Sequence, residues 1–289
     1  MNNQQLDIDP EATIDKKADL ELDLLLNAIY QLSSFDFRQY ARSSIYRRIH
    51  NRMKIDRIPT ISRLLEKVIH EEGVLEQLLN DFSINVTEMF RDPSFFQAFR
   101  TKVVPILRDY PEIRIWHAGC ATGEEVFSMA ILLKEEGLLD KTVLYATDMN
   151  EEVLKKAKQG AFSLLKMKTY TRNYLQAGGT HAFSEYYQTN HLYAYFHSDL
   201  LKNIIFAQHN LVTDQSFNEF HVIICRNVLI YFTTELQNQV HQLFLESLGT
   251  KGFLGLGDKE TLCFTETMEY YTEFVPKEKF YQKVIKNAE

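Results

Sequence analysis

Four short strings carry the residues whose types and spacing could do chemistry. Gly119 and Gly123 in IRIWHAGCATGEE lie between an apolar run and a helical one, where backbone can approach a ligand closely and helix amides face it. The spacing is GxxxG and not GxGxxG, so the dinucleotide fingerprint is incomplete and the string alone indicates a nucleotide-like ligand. Asp148 closes the next apolar run, YATD, 25 residues after Gly123. A carboxylate there can accept hydrogen bonds from both hydroxyls of one ribose. The competing reading makes Asp148 the N-cap of the EEVLKKA helix, and Glu125 a dipole-compensating acid in a first helical turn. CRNVLIYF ends a third apolar run at Arg226 and Asn227, with Tyr231 behind them. INVTEMFRD sets Asn85, Thr87 and Arg91 at two- and four-residue steps. These could reach the same ligand, or Thr87 or Asp92 could cap a helix with Pro93 in its first turn.

Those residues need a sheet to hold them. After Pro111, short apolar runs alternate with helical stretches: IRIW, FSMAILLKEEG, TVLYATD, EEVLKKAKQG, FHVIICRN and VHQLFLESL. That alternation predicts βαβ units around a parallel sheet, with ligands at the strand C-termini. GFLGLGD and KFYQKVIK predict an antiparallel pair near the end. The stretch from about 160 to 209 is irregular and rich in Tyr and His, and is expected to be an insertion with short strands of its own. Before the sheet, periodicity through about residue 82 is helical throughout, with Pro59 and Gly73 as breaks. The division predicted is a flexible leader over 1–19, a basic helical domain over 20–100, a linker over 101–111 and an α/β domain over 112–289.

Length and 45% hydrophobic content suit a globular chain of about two domains. No apolar run approaches a membrane span, and the polar start carries no secretory signal. Cys120, Cys225 and Cys263 form no CxxC pair, so neither a disulfide framework nor a metal site is expected, and a reducing cytoplasm fits. Strand-end packing explains Cys120 and Cys225. The net charge of −7 hides a local reversal, with eight basic residues between Asp36 and Arg63 opposed only by Asp36 and Asp56. Ile45, Ile49 and Met53 mark the buried side of a helix there, while Arg38/Arg42 and Arg48/Arg52 pair on other faces. Such a segment suits an acidic partner, unless it is simply a solvated face.

INVTEMFRD, WHAGCATGEEVFSMA, YATDMNEEVLKKAKQGAF and FHVIICRNVLIYF, in this order, resemble the chemotaxis receptor methyltransferase (CheR) family, and RRIHNRM resembles its arginine-rich helix. The resemblance implies an S-adenosylmethionine-dependent α/β (Rossmann-like) methyltransferase with a small β-subdomain, preceded by an all-α domain. It implies cofactor contacts at Asn85, Thr87, Arg91, Glu125, Asp148, Asn210, Leu211, Arg226 and Asn227. Arg91 and Tyr231 are placed near the transferred methyl. The implied reaction is methyl esterification of glutamates on chemoreceptor cytoplasmic helices, with Arg42, Arg48 and Arg52 facing those acidic helices. A monomer that meets membranes only through receptors and binds no nucleic acid is implied as well. A glutamate is ionised at pH 7, so attack on a sulfonium methyl needs no general base. Two departures stand out: Gly257-Asp258-Lys259-Glu260 replaces an expected Gly-His-Ser-Glu, and Met89-Phe90 replaces a double Phe. The first motivates a rival, a non-catalytic S-adenosylmethionine sensor. A second rival, a nucleic-acid methyltransferase using the Arg38 to Arg63 face, sits poorly with the overall acidity.

Overall fold

The computed structural model describes residues 16–83 and 87–284, and the chain divides into two compact units, 1–83 and 84–289. The first is four helices: α1 (Lys16–Ser33), α2 (Arg42–Ile55), α3 (Ile61–His70) and α4 (Val74–Phe82). α1 buries Leu22, Leu25, Leu26 and Ile29, one stripe at helical spacing. That stripe anchors a helix from Lys16, so the expected leader is too long at its C-terminal end; residues 1–15 lie outside the described residues. α2 buries Ile45, Ile49 and Met53 as expected. Thr60 caps α3 by accepting from the Arg63 amide.

The second unit starts earlier than the expected boundary near 100. α5 (Pro93–Ala98), a π-helical turn over Phe99–Val103 and α6 (Val104–Leu107) replace the anticipated linker. Phe95, Phe96, Phe99, Val103, Val104 and Leu107 are buried in the core of the α/β unit. Their helical periodicity was legible locally, but the core they join is not a local property. Pro105 lacks the N–H that would bond the carbonyl of residue 101, which suits the widened turn before it.

Strands β1 (Ile113–Ala118) and β2 (Thr142–Asp148) flank α7 (Glu124–Glu135), and α8 (Glu151–Gln159) follows. Next come β3 (Ala161–Ser163), α9 (Leu164–Gln176), β4 (Tyr187–Thr189) and β5 (Tyr193–Phe196), then α10 (Ser198–Leu201) and β6 (Ile204–Gln208). The chain continues through β7 (Phe220–Cys225), α11 (Thr234–Ser247), β8 (Leu248–Leu256), β9 (Tyr271–Val275) and β10 (Phe280–Lys283). The main sheet has the order β6-β2-β1-β7-β8-β10-β9, and β3-β5-β4 form a separate small sheet. β1 pairs in parallel with both β2 and β7. Strand order therefore reverses at β1, and a crevice opens beyond its C-terminal end. β8 and β10 form the predicted antiparallel pair, with Phe280 opposite Gly255. β6 belongs to the main sheet, so the β-insertion ends before residue 204 and not at 209. No helix among the described residues is long and apolar enough to cross a membrane.

Candidate active site

The turn after β1 is built by backbone that only particular residues tolerate. Gly119 has φ +79°, and a Cβ there would lie 2.5 Å from Val228 Cγ2; Gly123 has φ +92°, with Ala157 Cβ 3.0 Å from the same hypothetical atom. Both glycines admit neighbouring protein, a different reason from the ligand approach expected. The Gly119 and Cys120 amides both donate to the Thr147 carbonyl at 2.8 Å, which ties the turn to the end of β2. Ala121, itself at φ +47°, donates its N–H to Asp148 Oδ2 at 3.0 Å.

Asp148 is not the helix cap. The N-cap of α8 is Asn150, whose side chain accepts from the Glu152 amide at 2.8 Å. The Asp148 carboxylate faces the turn instead, its other oxygen accepting from the Asn150 amide. Burial pushes this carboxyl above its ordinary 3.8, an effect that amides of Asn150, Ala121 and Met149 only partly offset.

The two adjacent glutamates of GCATGEE divide. Glu124 is buried and receives the Tyr170 and Thr122 hydroxyls. Glu125 faces the crevice, with Oε1 2.9 Å from His117 Nδ1 and Oε2 accepting from Arg226 Nη1 at 3.0 Å. Burial alone would raise the Glu125 carboxyl, but the His117 hydrogen bond and the Arg226 charge outweigh it and hold it below the usual range. Arg226 also donates through Nη2 to Asp92 Oδ2 at 2.6 Å and to the Arg91 carbonyl at 3.2 Å. Its guanidinium carbon sits 4.2 Å from the Phe95 ring centroid, and only 2% of its side chain is exposed. Arg226 therefore clamps the segment before α5 to the sheet. Asp92, at the α5 N-cap position with φ +53°, makes no side-chain cap because Arg226 takes its carboxylate. Thr87 caps no helix either. The Phe90 amide donates to Ser128 Oγ and the Met89 carbonyl accepts from Asn173, which pins the same segment to α7 and α9.

Beyond β7, Asn227 adopts φ +61°. The amides of Asn227, Val228 and Leu229 all donate to the Glu260 carboxylate, as does that of Gly257. Of the unusual Gly257-Asp258-Lys259-Glu260 string, the two ends are thus structural and buried, and the changes fall on exposed Asp258 and Lys259.

A shallow cleft is lined by Thr87, Glu88, Arg91, Gly119, Cys120, Ala121, Glu125, Arg226, Asn227 and Val228. Asp148 adjoins it through Ala121. Asn210 and Leu211 follow β6, where the His209 amide donates to the Asp148 carbonyl, and Asn210 Oδ1 accepts from the Val212 amide. Tyr231 ends the 3₁₀ turn Leu229–Tyr231. These three are outside the cleft lining, and Asn85 lies outside the described residues. His117, Asp92 and Glu260 were missed as site-builders; a histidine in the last residues of an otherwise apolar strand was the one local signal.

In the helical unit, Arg48 donates to the Asp81 carbonyl at 2.8 Å and Arg52 grips the Asp81 carboxylate through Nε and Nη2. Arg42 pairs with Asp19 and Asp23. The charges expected to face a partner are committed in large part within the unit. Besides Arg42, the exposed basic residues of α2 are Arg47, His50 and Lys54, which lie at helical spacing.

A mostly parallel sheet that reverses order at a glycine turn, with a buried carboxylate ending the neighbouring strand, places the unit in the doubly wound α/β class, whose ligands sit at such a crevice. Residues 85–277 match the family model described as "CheR methyltransferase, SAM binding domain", and residues 20–83 match "CheR methyltransferase, all-alpha domain". The chain belongs to the CheR methyltransferase family. It is 46% identical over 271 residues to the protein Cher3 of Pseudomonas putida, covering 94% of this chain and 99% of that protein. It is 28% identical over 253 residues to the chemotaxis protein methyltransferase of Listeria monocytogenes, covering 84% and 92%. With that of Escherichia coli it shares 27% over 253 residues, covering 82% and 83%.

The protein is accordingly an S-adenosylmethionine-dependent methyltransferase, and the site suits that cofactor. The cleft brings the Glu125 carboxylate beside the glycine turn, and the Asp148 carboxylate adjoins that turn through the Ala121 amide. Were Asp148 to accept from the ribose hydroxyls, binding would favour its ionised form, which burial disfavours. Affinity for S-adenosylhomocysteine is therefore expected to fall on acidification, beginning above the ordinary aspartate range. Asp148→Ala should weaken binding about 100-fold and flatten that dependence. Calorimetry between pH 7.5 and 5 checks both; a pH-independent wild type matched by the variant would remove Asp148 from the site.

Proposed function

We propose that the protein esterifies glutamate side chains on the cytoplasmic helices of chemoreceptors, which would place it in the cytoplasm. The supporting observation is the cleft itself, where Arg91 and Glu125 line the same crevice beyond β1. The names of the Listeria and Escherichia coli relatives support the same setting. S-adenosylmethionine, when bound, supplies a sulfonium methyl. Asp148 would accept hydrogen bonds from its ribose and Glu125 would meet its ammonium, with Thr87 and Asn227 lining the same cleft and Asn210 and Leu211 following the β6 end that bonds the Asp148 backbone. Arg91 and Tyr231 orient the acceptor carboxylate, which arrives already ionised and needs no base. A covalent protein intermediate is disfavoured, since burial pushes the Cys120 and Cys225 thiols well above their ordinary range.

On α2, Arg47 and Lys54 offer the exposed charge for acidic receptor helices, Arg42 lies on another face paired with Asp19 and Asp23, and Arg48 and Arg52 keep the helix in place. Purified protein with methyl-labelled cofactor and receptor-containing membranes should yield label on protein that mild alkali releases as methanol. Reversing Arg47 and Lys54 to Glu should lower receptor methylation at least tenfold through KM, without altering affinity for S-adenosylhomocysteine. Alkali-stable label would exclude a carboxyl acceptor, and undiminished methylation by the variant would exclude α2 as the docking face.

A further inference from the structure

His117, fully buried near the end of β1, is a titratable group that the proposed reaction leaves unused. Its Nδ1 lies 2.9 Å from Glu125 Oε1. An ionised carboxylate can only accept, so Nδ1 carries the proton. Nε2 is buried and has no partner among the described residues, so this one hydrogen bond accounts for the ring's polar engagement. The opposite carboxylate oxygen is taken by Arg226. Glu125 is thus gripped on both oxygens, from inside β1 and from the end of β7. The two grips differ in kind. Arg226 also holds Asp92, the Arg91 carbonyl and the Phe95 face, whereas His117 makes its polar contact with Glu125.

We propose that His117 is a positioning residue for cofactor recognition: its Nδ1–H fixes the Glu125 carboxylate in the orientation that meets the ammonium of S-adenosylmethionine. The inference rests on the reading that Glu125 takes that ammonium. A carboxylate held before the ligand arrives gives up little side-chain freedom on binding and keeps its remaining lone pairs aimed at the cleft.

Two nucleosides separate this role from a general contribution to the fold. S-adenosylhomocysteine carries the ammonium; 5′-methylthioadenosine shares the adenosine and sulfur but lacks the amino-acid arm. In calorimetry with the full chain, His117→Leu should weaken S-adenosylhomocysteine about tenfold or more and leave methylthioadenosine within about twofold. His117→Asn, whose Nδ2–H can occupy the place of Nδ1–H, should recover most of the loss. Equal weakening of both nucleosides, no recovery by Asn, or unchanged S-adenosylhomocysteine affinity in the Leu variant would overturn the inference. If the wild type bound both nucleosides equally, Glu125 would not meet the ammonium, and the pocket reading would fail together with the role of His117.

Discussion

Glu260→Ala should abolish measurable cofactor binding and lower the melting temperature by roughly 10 °C, the shift expected for about 3 kcal/mol in a domain of this size. The Glu260 side chain is buried and its two oxygens gather four amides, from Gly257 at 2.7 Å, Leu229 at 2.8 Å, Val228 at 2.9 Å and Asn227 at 3.0 Å. Removing it strands donors in a dry turn, and each unsatisfied group costs about 1–3 kcal/mol, less where water can enter. The turn also holds Asn227 in the left-handed region and keeps Val228 against Gly119, so its collapse reaches both walls of the cleft. Glu260→Gln should fare nearly as badly, because its NH₂ would face two donors whichever way the amide turns. Thermal denaturation and calorimetry with S-adenosylhomocysteine read both effects. A melting point within about 2 °C of wild type would show that the turn stands without its carboxylate.

The second large effect is expected at Glu135, at the end of α7, far from any reacting atom. Its side chain is 1% exposed and receives Tyr186 Oη at 2.9 Å, the Thr180 amide at 3.1 Å, Tyr174 Oη, and Arg100 Nη2 at 2.5 Å. Burial alone would raise this carboxyl, but the donors from Tyr174, Arg100, Thr180 and Tyr186 hold it at about 2 against an ordinary 4.5. Because the folded value lies below the unfolded one, the stabilisation is complete above pH 4.5 and is lost as pH falls towards 2. The shift corresponds to about 3 kcal/mol, and Glu135→Ala should cost about as much at pH 7 because two tyrosines and Arg100 Nη2 lose their shared acceptor, Arg100 keeping Glu136 as its ion-pair partner. Urea titrations should show the gap between wild type and variant closing as the pH is lowered from 5 to 3. A gap that stayed constant would mean that packing, and not the carboxylate, carries the loss.

What the sequence disclosed follows the range of the interactions. The alternation of IRIW, TVLYATD and FHVIIC with helical stretches reports burial on both faces of a parallel sheet, and each strand lies where that pattern puts it. Asp148 at a strand end and the glycines after β1 were legible for the same reason. The boundary near residue 84 was not, because FFQAF reads as an apolar helix whichever core it joins. Nor were the clamps: Arg226 reaches Glu125 and Asp92 across more than 100 positions, and Glu260 finds its turn across more than 30. No periodicity encodes such pairs. The arginines of α2 show the converse, since a charged residue reads as surface until Asp81 is found under Arg52.

The dependence of the β7 turn on Glu260 also bears on how the protein is made. A ribosome delivers β1, its glycine turn and Asp148 long before residue 260, yet the wall opposite Gly119 has no acceptor for its amides until that glutamate emerges and β8 has taken its place beside β7. Cofactor capture is therefore expected late in biogenesis. A polypeptide released early, anywhere before Gly257, would carry every residue that lines the cleft and is still expected to fail to sequester S-adenosylmethionine.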